Sequence, residues 1–272
     1  MHDPRVTELM PQMHALRQQV ENMERGLLSM QRKVHALDAH HRLTLAGRAP
    51  RYPVEFRSEY GEDVWLWELF DGQADGFFVE VGAYDGYTNS TSYAFEAVGW
   101  RGLLIEPIPK RYESCRARRG ASTVVHGAAS APGGPATIDF TVVEDDVWDL
   151  CSYAHDRPQH RPELDRTDFK RTRVTVPLTT IDAQLTAMGH TGAIDFATID
   201  VEGAEVELLQ GFDLKKWHPR VVIIEDLTRG KDARAANHMK TQPYEFVGWL
   251  AINRLYVHRD ERSILSRLGA LR

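Results

Sequence analysis

The sequence predicts an α/β fold: a mostly parallel, doubly wound, Rossmann-like sheet that ends in an antiparallel hairpin and follows an N-terminal helix. Three observations predict it. A heptad repeat fills the first 45 residues, short branched apolar runs then alternate with helix-like stretches, and two strand-like runs lie close together near the C-terminus. Strands and helices in alternation are typical of a parallel sheet covered on both faces. We expect residues 1–45 to form a coiled-coil helix, residues 46–57 a linker and residues 58–272 one domain.

The N-terminal segment repeats apolar residues at steps of three and four, which gives one narrow apolar stripe along a helix. This pattern predicts a homo-oligomer formed through residues 6–41, and valine at several a positions favours a dimer without excluding a trimer. Pro11 predicts that the continuous helix begins there. The alternative is a single amphipathic helix that packs on its own domain. The stripe consists of Val6, Leu9, Met13, Leu16, Val20, Met23, Leu27, Met30, Val34 and Leu37.

Short apolar runs rich in branched residues predict the parallel strands, because strands buried on both faces lack alternating polar residues. These runs are Gly76–Gly82, Gly102–Pro107, Ser122–Ala128, Ile194–Asp200 and Arg220–Asp226. Helices are predicted over Glu59–Phe70, Ser90–Val98, Lys110–Arg118, Thr180–Met188 and Glu202–Leu209. An extra strand is predicted over Ala136–Val143, and a hairpin turns at Ile252 and Asn253.

Composition narrows the class of protein. A net charge of −6 and a pI of about 6.1 argue against a nucleic-acid partner. The two cysteines, Cys115 and Cys151, have no metal-ligand spacing and suit a reducing compartment. The sequence has neither the apolar core of a signal peptide nor a run of about 20 apolar residues that could span a membrane. We therefore expect a cytoplasmic protein without membrane contact.

The loop after the first predicted strand, Glu80–Gly86, indicates a nucleotide-like ligand. Gly82 permits a tight turn and a close approach of the backbone to a ligand. Glu106 ends the next strand 24 residues further on, where an acid can accept hydrogen bonds from ribose hydroxyls. The loop is not G-x-G-x-x-G, and its acids Glu80 and Asp85 would repel a pyrophosphate but suit a ligand with amino and sulfonium cations. The loop therefore favours S-adenosylmethionine (SAM) over NAD, although simple turn glycines and an exposed strand-end acid would give the same pattern.

Six motifs cover most of residues 58–226: YGEDVWL, GFFVEVGAYDGYTNSTS, GWRGLLIEPIPKRY, VPLTTIDAQL, DFATIDVEGAEVELLQGFDL and PRVVIIE. In these motifs and in their order the sequence resembles the FkbM-type SAM-dependent methyltransferases. The resemblance implies a Rossmann-like class I methyltransferase fold and O-methyl transfer onto a sugar hydroxyl of a glycan, glycolipid or glycosylated natural product. The loop and the resemblance together give these expected cofactor-binding residues: Glu80, Gly82, Tyr84, Asp85, Asn89, Glu106, Pro107, Ala128 and Ser130. The resemblance implies that Glu80, Gly82 and Asp85 lie at the methionine end of SAM, Glu106 at the ribose and residues 128–130 near the adenine.

Carboxylates at the ends of the fourth and fifth predicted strands are the catalytic candidates. A sugar hydroxyl is a poor nucleophile and needs a base or a metal ion. Asp200 and Glu202 follow one strand, and Glu225 and Asp226 end its neighbour in the sheet. We expect Asp200, Glu225 and Asp226 to hold Mg²⁺ or another divalent cation, or one carboxylate to act directly as the base. Glu205 is interpreted as a helix-dipole acid.

The polar segment Asp145–Arg171 between predicted strands is interpreted as a lid or acceptor-binding loop. His155 is its candidate base, and Trp148 and Tyr153 could stack on a sugar ring. The catalytic candidates are therefore Asp200, Glu202 and His155. Two other functions stay open: an NAD-dependent sugar-modifying enzyme, and a non-catalytic coiled-coil scaffold with a degenerate SAM fold.

Overall fold

The computed structural model describes residues 4–143, 153–154 and 170–270. The strands of this part of the chain are β1 (Phe77–Val81), β2 (Arg101–Glu106), β3 (Thr123–His126), β4 (Ala128–Ala129), β5 (Thr137–Val143), β6 (Tyr153–Ala154), β7 (Arg171–Thr179), β8 (Phe196–Ile199), β9 (Val221–Glu225), β10 (Tyr244–Leu250) and β11 (Asn253–His258). Its helices are α1 (Pro4–Leu45), α2 (Glu62–Leu69), α3 (Tyr93–Val98), α4 (Pro109–Arg118), α5 (Ile181–Ala187), α6 (Glu205–Gln210), α7 (Leu214–Trp217), α8 (Arg234–Lys240) and α9 (Arg262–Ala270).

A seven-stranded sheet in the order β10-β11-β9-β8-β1-β2-β3 forms the centre of the domain. β1 pairs in parallel with β2 and β8, and the outer pairs β2–β3 and β8–β9 are parallel as well. β11 is antiparallel to both β9 and β10, as the predicted hairpin requires. The α/β fold with a C-terminal antiparallel hairpin is therefore confirmed. Because the parallel strands run the same way, the carboxyl ends of β1, β2, β8 and β9 meet at one edge, which we call the cleft edge.

Apolar residues cover both faces of this sheet, which explains the nearly continuous apolar runs. Phe78 and Phe196 belong to the core on one face, and the next residues along their strands, Val79 and Ala197, belong to the core on the other. Successive side chains of a strand point to opposite faces, so each strand supplies both layers.

Two predicted helices begin later in the structure than in the sequence pattern. α3 starts at Tyr93 rather than Ser90, because the three residues before it bind the Glu80 carboxylate. α6 starts at Glu205 rather than Glu202, because Glu202 and Gly203 have φ of 49° and 95°, outside the right-handed helical region. Because α3 and α6 begin late, the polar residues just before each helix stay outside it and lie at the cleft edge.

A second, four-stranded sheet in the order β4-β7-β5-β6 lies after β3. The predicted extra strand is confirmed as β5, which pairs antiparallel with β7 and brings Ile138 opposite Val176 and Phe140 opposite Val174. β7 was not predicted, because its exposed arginines and threonines alternate with valines and give only a weak strand signal.

The helix α1 is longer than predicted and contacts the domain with its second half. It runs through Pro11 without a break from Pro4, so the prediction that it begins at Pro11 is wrong. Ala39 and Leu43 are buried in the core, while Leu28 packs on Gly61. Polar contacts support this docking, since His35 lies 3.0 Å from the Glu68 carboxylate.

The heptad stripe of α1 lies on a different side of the helix from this docking face. At about 100° per residue, the docking positions 28, 32, 35, 39 and 43 lie roughly 150° around the helix from the stripe. The stripe residues from Leu9 to Leu37 are 46% to 74% exposed. α1 therefore packs on its own domain, as the alternative expected, but it does so through the docking face and not through the apolar stripe. Among the described residues, no helix has the length and apolar character needed to cross a membrane.

Candidate active site

A cavity of about 830 Å³ opens at the cleft edge. Its floor comes from the ends of β1, β2 and β8, and its wall from the second sheet. The residues that line it include Val81, Gly82, Tyr84, Glu106, Pro107, Ile108, Ala128, Ser130, Ile138, Phe140, Leu178, Asp200, Val201 and Glu202.

Gly82 makes the tight turn that forms the floor of this cavity. Its φ is 84°, a conformation that side chains disfavour, and a Cβ added there would lie 2.0 Å from the backbone oxygen of Asp200. The sequence suggested that a side chain would crowd the ligand. The structure gives a further reason, because a side chain would first collide with the end of β8.

Glu106, the last residue of β2, is hydrogen-bonded to the glycine loop that forms part of the cavity floor. Its carboxylate accepts hydrogen bonds from the Tyr84 backbone N–H at 2.7 Å and from the Ile108 backbone N–H at 2.8 Å. Burial raises the pKa of Glu106 to about 8. Each carboxylate oxygen has a second lone pair. Glu106 can therefore hold the loop and still accept hydrogen bonds from a ligand in the cavity.

The other predicted cofactor-binding residues divide into three groups. Tyr84, Pro107, Ala128 and Ser130 line the same cavity as Gly82 and Glu106. Glu80 and Asn89 line a neighbouring polar cavity of about 550 Å³, which shares Val81, Gly82 and Asp200 with the first. Asp85 lines neither of these two cavities. The two cavities meet at Gly82 and Asp200, so the cleft has two arms.

Asp85 shapes the loop instead of facing the cleft. Its carboxylate accepts hydrogen bonds from the backbone N–H groups of Tyr87 at 2.9 Å and Thr88 at 2.7 Å, and it pairs with Arg118. Burial acts to raise the pKa of Asp85, but the hydrogen bonds from Thr88 and Arg118 outweigh it and hold that pKa below its usual value. Asp85 is thus an ionised loop anchor, and its direct contact with a cofactor stays a prediction.

Glu80 is held in the neighbouring cavity by buried donors. It accepts hydrogen bonds from the Ser90 hydroxyl at 3.0 Å and the Thr91 backbone N–H at 2.8 Å. The buried guanidinium of Arg119 lies 3.8 Å from Glu80 and donates to Glu96 at 3.1 Å. We call Glu80, Glu96 and Arg119 the Arg119 cluster. It fixes the position of Glu80 relative to the glycine turn.

Three carboxylates converge where the two arms of the cleft meet. One oxygen each of Asp200, Glu202 and Glu225 lies within 4.8 Å of the others. Burial, followed by the negative charge of Asp200, raises the pKa of Glu225 well above its ordinary value. We call these residues the strand-end acid group. They can accept a proton from an acceptor, share one among themselves or bind a cation.

Asp226 does not belong to this group, so its predicted place among the metal ligands is not supported. Its carboxylate accepts hydrogen bonds from Thr228 and forms an ion pair with Arg254 at 2.7 Å. Within the described residues the three-acid group takes Glu202 in place of Asp226.

The sequence interpretation missed two parts of the cleft. Glu62, at the start of α2, lines the polar arm and binds the Asn253 side chain of β11, and burial raises the pKa of Glu62 to about 7. The apolar wall of the larger cavity comes from Ile138, Phe140 and Leu178 of the second sheet. In the sequence, the YGEDVWL motif pointed to Glu62. The alternation of Val174 and Val176 in β7 pointed only weakly to the second sheet and its apolar wall.

The candidate base His155 and its neighbour Trp148 lie outside the described residues. For Tyr153 the structure gives only its place in β6. The lid, the stacking contacts and the catalytic role of His155 therefore stay predictions.

The strand order, with a hairpin next to β9 and a cleft at the ends of β1 and β2, is the Rossmann-like fold of class I methyltransferases. The chain belongs to the FkbM methyltransferase domain family, whose model matches residues 80–266. This family is one of methyltransferases and not of the NAD-dependent sugar-modifying enzymes that the sequence had left open. No curated protein matches the chain.

Several solved structures are similar in fold alone. The METTL16 methyltransferase domain is 12% identical with a TM-score of 0.39, and the similarity covers 71% of this chain and 64% of that one, less than two thirds of its length. An O-methyltransferase from Bacillus cereus in complex with SAH is 14% identical with a TM-score of 0.39, over 82% of this chain and 89% of that one. Aeropyrum pernix fibrillarin with natively bound S-adenosyl-L-methionine is 10% identical with a TM-score of 0.38, over 74% of each chain.

Proposed function

We propose that the protein is a SAM-dependent O-methyltransferase that methylates a hydroxyl of a sugar in a glycan, glycolipid or glycosylated natural product. The observation that carries this proposal is the strand-end acid group beside Gly82, where the two arms of the cleft meet. An oxygen acceptor must lose a proton as it is methylated, and carboxylates at this point can take it. The polar arm, with Glu59, Tyr60 and Asn253 in its lining, suits a ligand with many hydroxyls.

The larger cavity fits the parts of SAM. Its apolar wall of Ile138, Phe140 and Leu178 suits a flat purine, and Glu106 at its floor suits ribose hydroxyls. Glu80 in the polar arm is an anchored carboxylate for the amino group of the methionine part. When bound, SAM supplies an electrophilic methyl group. The residues of this chain bind and orient the two reactants.

Asp200 is the proposed base. It lines both arms of the cleft, so it lies where the SAM methyl group and the acceptor hydroxyl would meet. It accepts the hydroxyl proton of the acceptor, and Glu225 beside it, whose pKa is raised by burial and by the Asp200 charge, can share a proton with the Asp200 carboxylate. Glu202 completes the group on the side of the larger cavity.

A divalent cation on the strand-end acid group is the second arrangement that fits these residues. Oxygen ligands of this kind suit Mg²⁺ or Ca²⁺, which would lower the pKa of a coordinated acceptor hydroxyl. Removal of metal with EDTA separates the two arrangements. Unchanged turnover would mean that Asp200 removes the acceptor proton without a metal ion. Loss of turnover that Mg²⁺ restores would mean that a metal ion assists this deprotonation.

Calorimetry and a methyl-transfer assay test the function. The protein is expected to bind SAM and not NADH, and to transfer methyl to the oxygen of a glycoside. Asp200→Asn should bind SAM within about threefold of the wild type but lower kcat at least about 100-fold, the size expected for loss of a general base. Asp75→Asn, a change of an exposed acid paired with Arg48, is the matched control. Absence of SAM binding, or methylation of nitrogen only, would contradict the proposal.

We also propose that the heptad stripe of α1 joins copies of this chain into a homo-oligomer. Residues 9–27 are exposed on every face, a length of about 28 Å of helix. An isolated helix of this length is only marginally stable in water. A second stripe of the same kind would cover the exposed a and d positions, because a repeat of 3.5 residues keeps the apolar seam on a partner helix.

Sedimentation of stripe variants tests this self-association. Leu16→Glu with Met23→Glu is expected to give a monomer that still binds SAM, because two charges then lie in the seam. Gln18→Glu with Asn22→Glu changes the same helix outside the stripe and should leave the oligomer intact. A stripe variant that sediments like the wild type would refute the proposal.

A further inference from the structure

Residues 58–62 lie between the helix α1 and the polar arm of the cleft, and we call them the arm wall. Glu59, Tyr60 and Glu62 of this wall line the polar arm. The other side of the wall contacts the docking face of α1. The family model matches residues 80–266, so the arm wall and α1 both precede the matched region. The polar arm is thus built in part by a region of the chain outside that match.

Two side chains of α1 hold the arm wall from outside. The Arg32 guanidinium donates hydrogen bonds to the backbone oxygen of Ser58 and, at 3.4 Å, to that of Glu59. A hydrogen bond from a charged donor is stronger than one between neutral groups. Leu28 packs on Gly61, where an added Cβ would lie 2.7 Å from the Leu28 Cδ1 atom. Leu28 and Arg32 are four positions apart, so they lie on the same face of the helix.

The arm wall is also joined to other parts of the polar arm. Ser58 forms a β-bridge with Asn89 of the glycine loop, which lines the arm. The Glu62 carboxylate accepts hydrogen bonds from the Asn253 side chain and, at 3.0 Å, from the Tyr60 backbone N–H. A displacement of the wall would therefore move several polar groups of the arm together.

The larger cavity and the strand-end acid group are built from other elements. Among the described residues that line the larger cavity, none belongs to the arm wall or to α1. Asp200 directly follows β8, and Glu225 ends β9. Glu80, in the polar arm, is held by the Arg119 cluster and by the Thr91 backbone N–H. A change at the contact between α1 and the arm wall should therefore act on the acceptor more than on SAM or on the proton transfer.

We propose that Arg32 and Leu28 are positioning residues for the acceptor, and that α1 sets the affinity of the polar arm for it. This inference rests on the proposed function, because it takes the polar arm as the place where the acceptor binds. A wall that is already ordered binds a ligand more tightly than one that must become ordered on binding. Leu27 and Met30 of the heptad stripe lie on the same turns of α1. The helix that carries the stripe is therefore also the support of the acceptor arm.

Steady-state kinetics of full-length variants at saturating SAM test this proposal. The acceptor is the member of a set of methyl hexosides on which the wild type has the highest turnover. Arg32→Met and Leu28→Ala should each raise the acceptor KM at least about fivefold and leave kcat within about twofold, the pattern expected for lost acceptor binding. Calorimetry should give a Kd for SAM within about threefold of the wild type, because the SAM cavity is unchanged.

Lys33→Met is the matched control, because it removes an exposed cation next to Arg32 in the same helix. It should keep the wild-type acceptor KM. Arg32→Lys retains a charged donor and should recover part of the acceptor affinity. All kinetics are measured well below the Tm of each variant. A loss of folded protein alone would lower the apparent kcat without changing the acceptor KM, so it is distinguished from a displaced wall.

Equal acceptor KM values in the wild type, Arg32→Met and Leu28→Ala would overturn the proposal and leave the proposed methyl transfer standing. A fall in SAM affinity as large as the fall in acceptor affinity would also overturn it, since α1 would then support the whole cleft. A wild type that binds no SAM, or methylates no hexoside of the set, would instead contradict the proposed function, and this inference with it.

Discussion

Two sets of buried acids lie at the cleft edge, and they differ in what surrounds them. In the Arg119 cluster, the guanidinium of Arg119 donates to Glu96 and lies within 4 Å of Glu80. The second set consists of Glu62, Glu106 and Glu225, which we call the cleft acids. Burial is the largest influence on all three and raises the pKa of each.

The presence or absence of a buried arginine beside these acids distinguishes those that hold the fold from those that can bind a ligand or a proton. An acid that pairs with a buried arginine holds its neighbours in place, so the Arg119 cluster sets the shape of the glycine loop. An acid whose pKa is raised can gain or lose a proton near neutral pH. It can therefore bind a cation or a hydrogen-bond donor of a ligand that enters the cleft. The three cleft acids line the two arms of the cleft, whereas in the Arg119 cluster Glu80 lines the polar arm and neither Glu96 nor Arg119 lines either arm.

Replacement of Arg119 is expected to have the largest effect on stability. Arg119→Met leaves Glu96 and Glu80 buried beside no guanidinium, and loss of one partner of a buried ion pair costs about 3–5 kcal/mol of the free energy of unfolding. The double variant Arg119→Met with Glu96→Gln should recover part of that loss, because it removes one of the two buried charges. Urea denaturation at pH 7 measures both.

The control is Arg116→Met, one helical turn away on α4, whose side chain is 62% exposed and pairs with Glu113. A surface ion pair contributes about 0–1 kcal/mol. If Arg119→Met and Arg116→Met proved equally stable, the Arg119 cluster would have no structural role.

Much of the fold was predictable because its signals are local. The branched apolar runs located β1, β2, β8 and β9 within one or two residues, since strands buried on both faces need such runs. The heptad stripe was equally plain, and it is the exposed side of α1. The docking face of α1 was not predicted, because Arg32 and His35 contribute to it and polar residues give no apolar period.

Site residues were predictable only where they end or directly follow a single predicted strand. Glu225 is the last residue of β9 and points to the acid group, whereas Asp226 follows the strand and pairs with Arg254 and Thr228, partners that the sequence does not reveal. Glu62 was missed because its side-chain partner in the polar arm, Asn253, is 191 residues away in the chain. Asp85 looked like a ligand residue, but its own loop offers it two backbone N–H groups. Such competition between a loop and a ligand is not visible in sequence.

Glu62→Gln is expected to flatten the pH dependence of stability. Burial raises the pKa of Glu62 from 4.5 to about 7, so between these values the folded state holds a proton that the unfolded state releases. The stability from this group is therefore complete below pH 4.5 and is lost as the pH rises through 7. The shift corresponds to at most about 3 kcal/mol.

Urea denaturation at pH 5 and pH 8 checks this. The free energy of unfolding of the wild type should fall more between the two pH values than that of Glu62→Gln. Glu59→Gln, a change of a nearby exposed acid, should keep the wild-type slope. Parallel pH profiles for the wild type and Glu62→Gln would mean that Glu62 titrates normally and does not belong with the cleft acids.

The smallest expected effect concerns Glu106 and the affinity for SAM. Glu106→Gln keeps the shape of the side chain but replaces one of the two oxygens that accept from the N–H groups of Tyr84 and Ile108 by an NH2 group, which cannot accept a hydrogen bond. It also offers fewer acceptor sites to a ribose. We expect SAM to bind about tenfold more weakly, a loss of about 1.4 kcal/mol.

Isothermal titration calorimetry of SAM into Glu106→Gln measures this change, with Glu113→Gln on the exposed face of α4 as the control. Because the pKa of Glu106 is raised to about 8, a neutral side chain is already favoured there at pH 7. The variant should therefore stay folded, and its lower affinity reports the lost acceptor oxygen. An unchanged affinity would place the ribose elsewhere in the cleft and leave Glu106 as a loop anchor like Asp85.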